Sequence, residues 1–146
     1  MRFVIGADEY DPILDVIANE LRGLGHEVTE IGAKPDKPAP WGPIAIEIGR
    51  RVASGAADQG VACCYTGTGV SMAANKVTGV RAALCVDAET AKGARQWNDA
   101  NVLALSLRLL SPTVAKEIVR AWASTPYGGT EASSLDAIVA AEKPRT

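Results

Sequence analysis

Residues 59–86, "QGVACCYTGTGVSMAANKVTGVRAALCV", decide how the rest of the chain is read. One apolar run, Gln59 to Tyr65, ends in Gly67-Thr68-Gly69. A segment of small residues follows, and a second apolar run begins at Val80. Neither run alternates polar with apolar residues, which is the pattern of a strand buried on both faces. The stretch between them is too long for a hairpin turn and predicts a short helix after Gly69. Strands joined through a helix run parallel.

The same rhythm extends in both directions. "RFVIGA" (2–7) reads as a strand, and Pro12 opens a helix to about Leu24 with Ile13, Val16, Ile17 and Leu21 on one face. "HEVTEIG" (26–32) is the next strand, "AKPDKPAPWG" (33–42) a loop, and "PIAIEIGRRVASG" (43–55) a helix ended by Gly55. "NVLALSL" (101–107) is a fifth strand. Further helices fall over Ala88–Trp97, from Pro112 to Ser124 and over 131–142, the last expected to fray or to pack on a partner subunit. The prediction is an α/β fold: a three-layer, Rossmann-like, doubly wound sheet of about five parallel strands, with residues 1–146 forming one domain.

Composition narrows the function. A formal charge of −2 argues against a nucleic-acid or polybasic membrane surface. No apolar run is long enough to span a bilayer, and "MRFVIGADEY" meets Asp8 and Glu9 too early for a signal peptide. A cytoplasmic location is the expectation, with no nucleic-acid or membrane partner. Three cysteines, Cys63, Cys64 and Cys85, and a single histidine, His26, give no metal-ligand spacing. Cys63 and Cys85 read as small buried hydrophobes.

In open parallel sheets, ligands bind beyond the carboxyl ends of the strands. "ADEYD" and "YTGTGVS" both leave strands at that edge, whereas "RQWNDAN" ends a helix and would need an adjoining subunit to reach it. Gly67 and Gly69 let backbone N–H groups approach a ligand oxygen, and the helix start after them adds positive potential. Such a cradle suits a phosphate or a developing oxyanion. It is not a dinucleotide fingerprint, because Ser71 and Met72 stand where the third glycine would be. Nor does a Walker loop occur. Cys64 precedes this loop, where a helix N-terminus favours a thiolate that could serve as nucleophile or base. Nucleophilic use normally needs a histidine, and His26 falls at the opposite edge of the predicted sheet. Proton abstraction next to a carbonyl remains, with the cradle holding an enediolate oxygen.

From Met1 to about Tyr127 the chain resembles the family of ribose-5-phosphate isomerase B and galactose-6-phosphate isomerase. The motifs "CYTGTGVSMAANKVTGVRAALC" and "WNDANVLALSLRLLSP" carry the likeness, supported by "VASGAADQGV" and "GHEVTEIG". The resemblance implies an aldose–ketose isomerase working through a cis-enediol on a small carbohydrate, with no metal or organic cofactor. It implies a homodimer or dimer of dimers with active sites at the subunit interface. Cys64 falls on the family's base, Thr66 on the threonine supporting it, and Gly67, Gly69, Val70 and Ser71 on the enediolate-holding loop. Asp8 and Asn98 match residues that contact the sugar, and Arg108 matches an arginine at the phosphate end. Glu9, Tyr10, Tyr65 and Trp97 complete the expected substrate-binding set.

Four departures bear on the substrate. Asp8-Glu9-Tyr10-Asp11 replaces the family's Asp-His-Ala-Gly, and Tyr65 replaces a glycine. Trp97 replaces the histidine thought to open the sugar ring, and Thr130 and Ser134 replace two phosphate-clamping arginines. The resemblance with these changes implies a substrate that is uncharged, or short and already open-chain. Ribose-5-phosphate isomerase activity with a rebuilt phosphate site, or sugar binding without catalysis, are the alternatives.

Overall fold

The structure is a computed structural model that describes residues 1–142. Its elements alternate as the apolar runs require. They are β1 (Arg2–Ala7), α1 (Pro12–Gly23), β2 (Glu27–Gly32), α2 (Trp41–Ala53), β3 (Gln59–Cys64) and α3 (Thr68–Ala74). Then come β4 (Ala82–Leu84), α4 (Ala88–Gln96), β5 (Val102–Ser106), α5 (Pro112–Ser124) and α6 (Ala132–Glu142). The five strands form one parallel sheet in the order β2-β1-β3-β5-β4.

Two apolar layers sandwich that sheet, as expected for strands with no polar face. Ile17 and Leu21 of α1, Ala91 of α4, and Ile118 and Trp122 of α5 pack on one face with Phe3, Ile5, Cys63 and Leu103. Ile44 and Ile48 of α2 and Val70 and Ala74 of α3 pack on the other with Val4, Ala62, Cys64 and Ala104. Leftward steps (β1 to β2, β4 to β5) therefore use one face and rightward steps (β2 to β3, β3 to β4) the other, so every crossover has the same hand. Neighbouring residues Cys63 and Cys64 point to opposite layers, because a strand's side chains alternate.

Local chemistry explains the boundaries. Asp11 caps α1: its carboxylate accepts from the Ile13 N–H at 2.9 Å, with Pro12 at the first helical position. Asp8 is thereby free of that role. Ser111 caps α5 in the same way, and the buried Trp122 donates its indole N–H to Gln59 Oε1 at 2.5 Å. Three elements differ from the sequence reading by two residues at a boundary. α2 starts at Trp41 rather than Pro43, since a proline in the first turn loses no helical hydrogen bond. α3 starts at Thr68, on a left-handed Gly67, instead of after Gly69. β4 keeps only Ala82–Leu84 of the run 80–86, because it pairs with β5 alone at the sheet edge. The helix expected over 131–142 is present as α6. None of its side chains is buried, and its C-terminal end is held by Glu142, which accepts from the Gly79 N–H at 3.0 Å.

At the amino edge, Asp58 binds Arg2 through both backbone and guanidinium, at 2.7 Å each. The Arg2 hydrogen bonds hold the Asp58 carboxyl down to about 2 from 3.8. A depressed carboxylate stabilises the fold above its unfolded value and loses that contribution as pH falls through the folded one. Urea unfolding of wild type and Asp58→Asn should accordingly differ at neutral pH and converge between about pH 4 and pH 2. The difference should be small, because both side chains are largely solvated.

Candidate active site

The site is built where the chain turns back at the centre of the sheet. β1 and β3 are neighbours, yet α1 leaves to one face and α3 to the other, which opens a crevice at their carboxyl ends. Cys64, the last residue of β3, is only 5% exposed and lines a cleft of about 310 Å³ with Asp8, Trp41, Tyr65, Thr66, Thr68, Gly69 and Met72. An adjoining cleft of about 410 Å³ is lined by Asp8, Glu9, Tyr10, Asp11, Tyr65 and Leu107. Asp8 and Tyr65 belong to both.

Gly67 makes the turn that presents the loop. Its φ is +76°, and a Cβ there would meet Leu84 Cδ1 at 2.6 Å and the Leu105 carbonyl carbon at 2.9 Å. The first helical bond of α3 runs from the Ser71 N–H to the Gly67 carbonyl at 3.2 Å, so the N–H groups of Thr68, Gly69 and Val70 precede the ladder. Ser71's amide, expected among the oxyanion donors, is thus engaged within the helix. Val70 contributes only backbone, since its side chain is wholly buried in the α2–α3 layer. Gly69 has a packing reason as well: its Cα lies under the Trp41 indole, which a Cβ would meet at 3.0 Å.

The other predicted residues divide sharply. Thr66 is exposed, and its hydroxyl pairs with that of Thr68 at 2.8 Å. Tyr10 donates to Asp15 at 2.6 Å, which raises the tyrosine's pKa. Arg108 donates to the Tyr65 hydroxyl at 3.0 Å and so stands beside the site through that residue. Trp97 and Asn98 do not join Cys64 in this chain. Trp97 ends α4, and Asn98 lines a separate cleft with Lys76, Arg81 and Glu142, near the amino ends of β4 and β5. The turn that carries them is fixed by Asp99, which sits at φ +44° between Arg81 and Arg95. Asn101 is structural: its side chain accepts from the Arg81 N–H and donates to the Gly79 carbonyl. His26 lies at the amino edge beside Met1 and Phe3, away from the site as expected.

Trp41 and Met72 are site residues that the motifs did not indicate. The loop after β2 also reaches the carboxyl edge, so the strand-end rule marks that region without singling out Trp41. Met72 has no such signal.

The thiols differ in access. Cys63 and Cys85 are buried at 0% and 1% exposure; burial raises both pKa values, that of Cys85 to about 12. Iodoacetamide at neutral pH should therefore label Cys64 first. Peptide mass spectrometry of Cys64→Ala should show that early label lost, with Cys63 and Cys85 reacting only in denaturant.

A model of the family described as "Ribose/Galactose Isomerase" matches residues 3–138. The chain belongs to that family. It is an isomerase of the aldose–ketose class. Ribose-5-phosphate isomerase B of Escherichia coli is 36% identical over 147 residues, 99% of this chain and 98% of its own. The D-erythrulose-4-phosphate isomerase of Pectobacterium atrosepticum is 35% identical over 141 residues, 94% and 93% of the two chains. A longer plant relative, the DNA damage-repair/toleration protein DRT102 of Arabidopsis thaliana, is 39% identical over 130 residues, and the match spans 40% of its length. Among solved structures, the type B ribose 5-phosphate isomerase of Trypanosoma brucei superposes with a TM-score of 0.92 at 41% identity, covering 96% of this chain and 97% of that one. The Rossmann-like assignment and the isomerase family agree with the sequence reading. No helix among the described residues is long and apolar enough to cross a membrane.

Proposed function

We propose that this isomerase interconverts a short or uncharged open-chain aldose and its ketose through a cis-enediol, with Cys64 as general base. The observation that carries the reading is that Cys64 lines a cleft, while Cys63 and Cys85 are sealed in the core, and shares that cleft with Thr68 and Gly69, whose N–H groups precede the α3 ladder. In this reading the Cys64 thiolate removes the proton from the carbon next to the carbonyl. The amides take up the negative charge that develops on oxygen, and the thiol returns the proton to the neighbouring carbon. Preorganised donors at a forming oxyanion supply several kcal/mol of transition-state stabilisation, about 3–4 for a single donor. In this reading Asp8, which lines both clefts, holds sugar hydroxyls.

The character of the outer cleft supports the substrate assignment. Asp8, Glu9 and Asp11 line it, and Arg108, which bonds the lining residue Tyr65, has its guanidinium already engaged there. Carboxylates repel a phosphate dianion that reaches the outer cleft, as the ester of a longer sugar would, and each missing arginine forgoes a charge-assisted contact of about 1.5–3 kcal/mol. A four-carbon aldose with its terminal oxygen blocked cannot close a five-membered ring, so it needs no ring-opening acid, and Trp97 offers none. The relative named D-erythrulose-4-phosphate isomerase fits that size class. A homodimer or dimer of dimers would let the Asp99-fixed turn bring Trp97 and Asn98 to a neighbouring site, with the exposed α6 alongside.

A second reading, ribose-5-phosphate isomerase with a rebuilt phosphate site, is favoured by Arg108 and by the names of several relatives. One comparison separates the two. Turnover of ribose 5-phosphate and of free ribose should be comparable, within about tenfold in kcat/KM. A preference of several hundredfold for the phosphate ester would establish the second reading.

A further inference from the structure

Tyr65 has the least obvious position in the molecule. It directly follows the thiol residue, leaves the buried strand, and exposes 62% of its surface, yet its place is closely fixed. Its carbonyl accepts from Ser106 Oγ and from the Arg108 N–H, both at 3.0 Å, and the preceding Cys64 carbonyl accepts from the Leu107 N–H at 3.0 Å. The side chain is tied as well. Arg108 Nη1 donates to the phenol oxygen at 3.0 Å, and the guanidinium carbon lies 5.9 Å from the ring centroid. A ring that only faced solvent would carry no such set of ties.

The ring borders both clefts, the one holding Cys64 and the outer one holding Glu9, Tyr10 and Asp11. Tyr65 and Asp8 form the junction of the two clefts, so a substrate reaching from Cys64 into the outer cleft would have to pass them. We propose that Tyr65 is the specificity-determining residue that gauges substrate length, limiting turnover to open-chain sugars of about four carbons. The proposal rests on the assignment of Cys64 as the base. The Tyr65–Arg108 bond has a second consequence: the guanidinium is occupied by a phenol, and a terminal phosphate must compete for it.

Three variants test both parts. In Tyr65→Gly, the ratio of kcat/KM for D-ribose 5-phosphate over D-erythrose 4-phosphate should rise at least ~10-fold, because the barrier to the outer cleft is gone. Tyr65→Ala should move the ratio in the same direction and guards against a folding defect in the glycine variant. Tyr65→Phe keeps the ring and frees Arg108. It should leave the length ratio within about twofold and raise the preference for ribose 5-phosphate over ribose by roughly tenfold. A length ratio unmoved in folded Tyr65→Gly and Tyr65→Ala, or a wild type that prefers the five-carbon ester, overturns the gauge while Cys64-dependent exchange persists. Loss of turnover on both lengths in both variants also overturns it. Absence of solvent-hydrogen exchange on any of these sugars in the wild type overturns the base assignment and the gauge together.

Discussion

Cys64→Ala is expected to lower kcat for isomerisation by ~10²–10⁴-fold, the usual contribution of a positioned general base, with little change in KM. The sulfur is the only cysteine side chain on the cleft, and its removal leaves Asp8, Trp41 and the Gly67 turn in place. Cys64→Ser should behave nearly as poorly, because an alcohol at neutral pH is not ionised enough to replace a thiolate. Stability should change little. The side chain is small, already borders open space, and sits at a strand end whose register with Ser106 is held by backbone bonds. A large loss of activity with an unchanged unfolding midpoint would locate the effect in chemistry rather than in folding.

Gly67→Ala is expected to damage both the fold and the activity through a single added methyl. The residue sits at φ +76°, and the new Cβ would lie 2.6 Å from Leu84 Cδ1 and 2.9–3.0 Å from the Leu105 carbonyl group. Left-handed backbone costs a non-glycine residue roughly 1–2 kcal/mol, and the overpacking adds roughly 1–3 kcal/mol. The backbone of β5 cannot retreat without breaking its pairing with β3, so the loop must move instead. The amides of residues 68–70 would move with it, and a further ~10²–10³-fold fall in kcat should follow. Gly55→Ala supplies the control. Its φ is +77° with nothing within 4 Å of the added carbon, so it should show the conformational cost alone and full activity. Denaturant titrations and initial rates of the two variants measure both effects.

Much of this was legible in the residues themselves. The apolar runs 3–7, 60–64 and 102–105 read as strands covered on both faces, and helix-length segments between them pointed to parallel pairing. The switch-point crevice followed, and with it the meeting of Asp8 with Cys64 and the glycine loop. The contributions of Ser71 and Thr66 were not legible. Whether an amide is free depends on where a helix begins, and α3 begins two residues before the sequence alone suggested. Trp41 was hidden because an indole on a proline-rich loop looks the same whether it covers a core or a cleft. Its contact with Gly69 exists only once α2 and α3 are packed together. Trp97 and Asn98 lie on a turn whose rigidity comes from Asp99 bridging two arginines, a long-range arrangement that no local pattern announces.

The central claim is that the Cys64 sulfur carries a proton to and from substrate carbon, and hydrogen isotope exchange observes that step without reference to overall turnover. The enzyme incubated in D₂O with D-erythrose 4-phosphate should incorporate deuterium at C1 of the ketose formed and at C2 of the aldose in equilibrium with it, followed by NMR, and Cys64→Ala should incorporate none above the uncatalysed rate. Equal incorporation by the two proteins would contradict the claim.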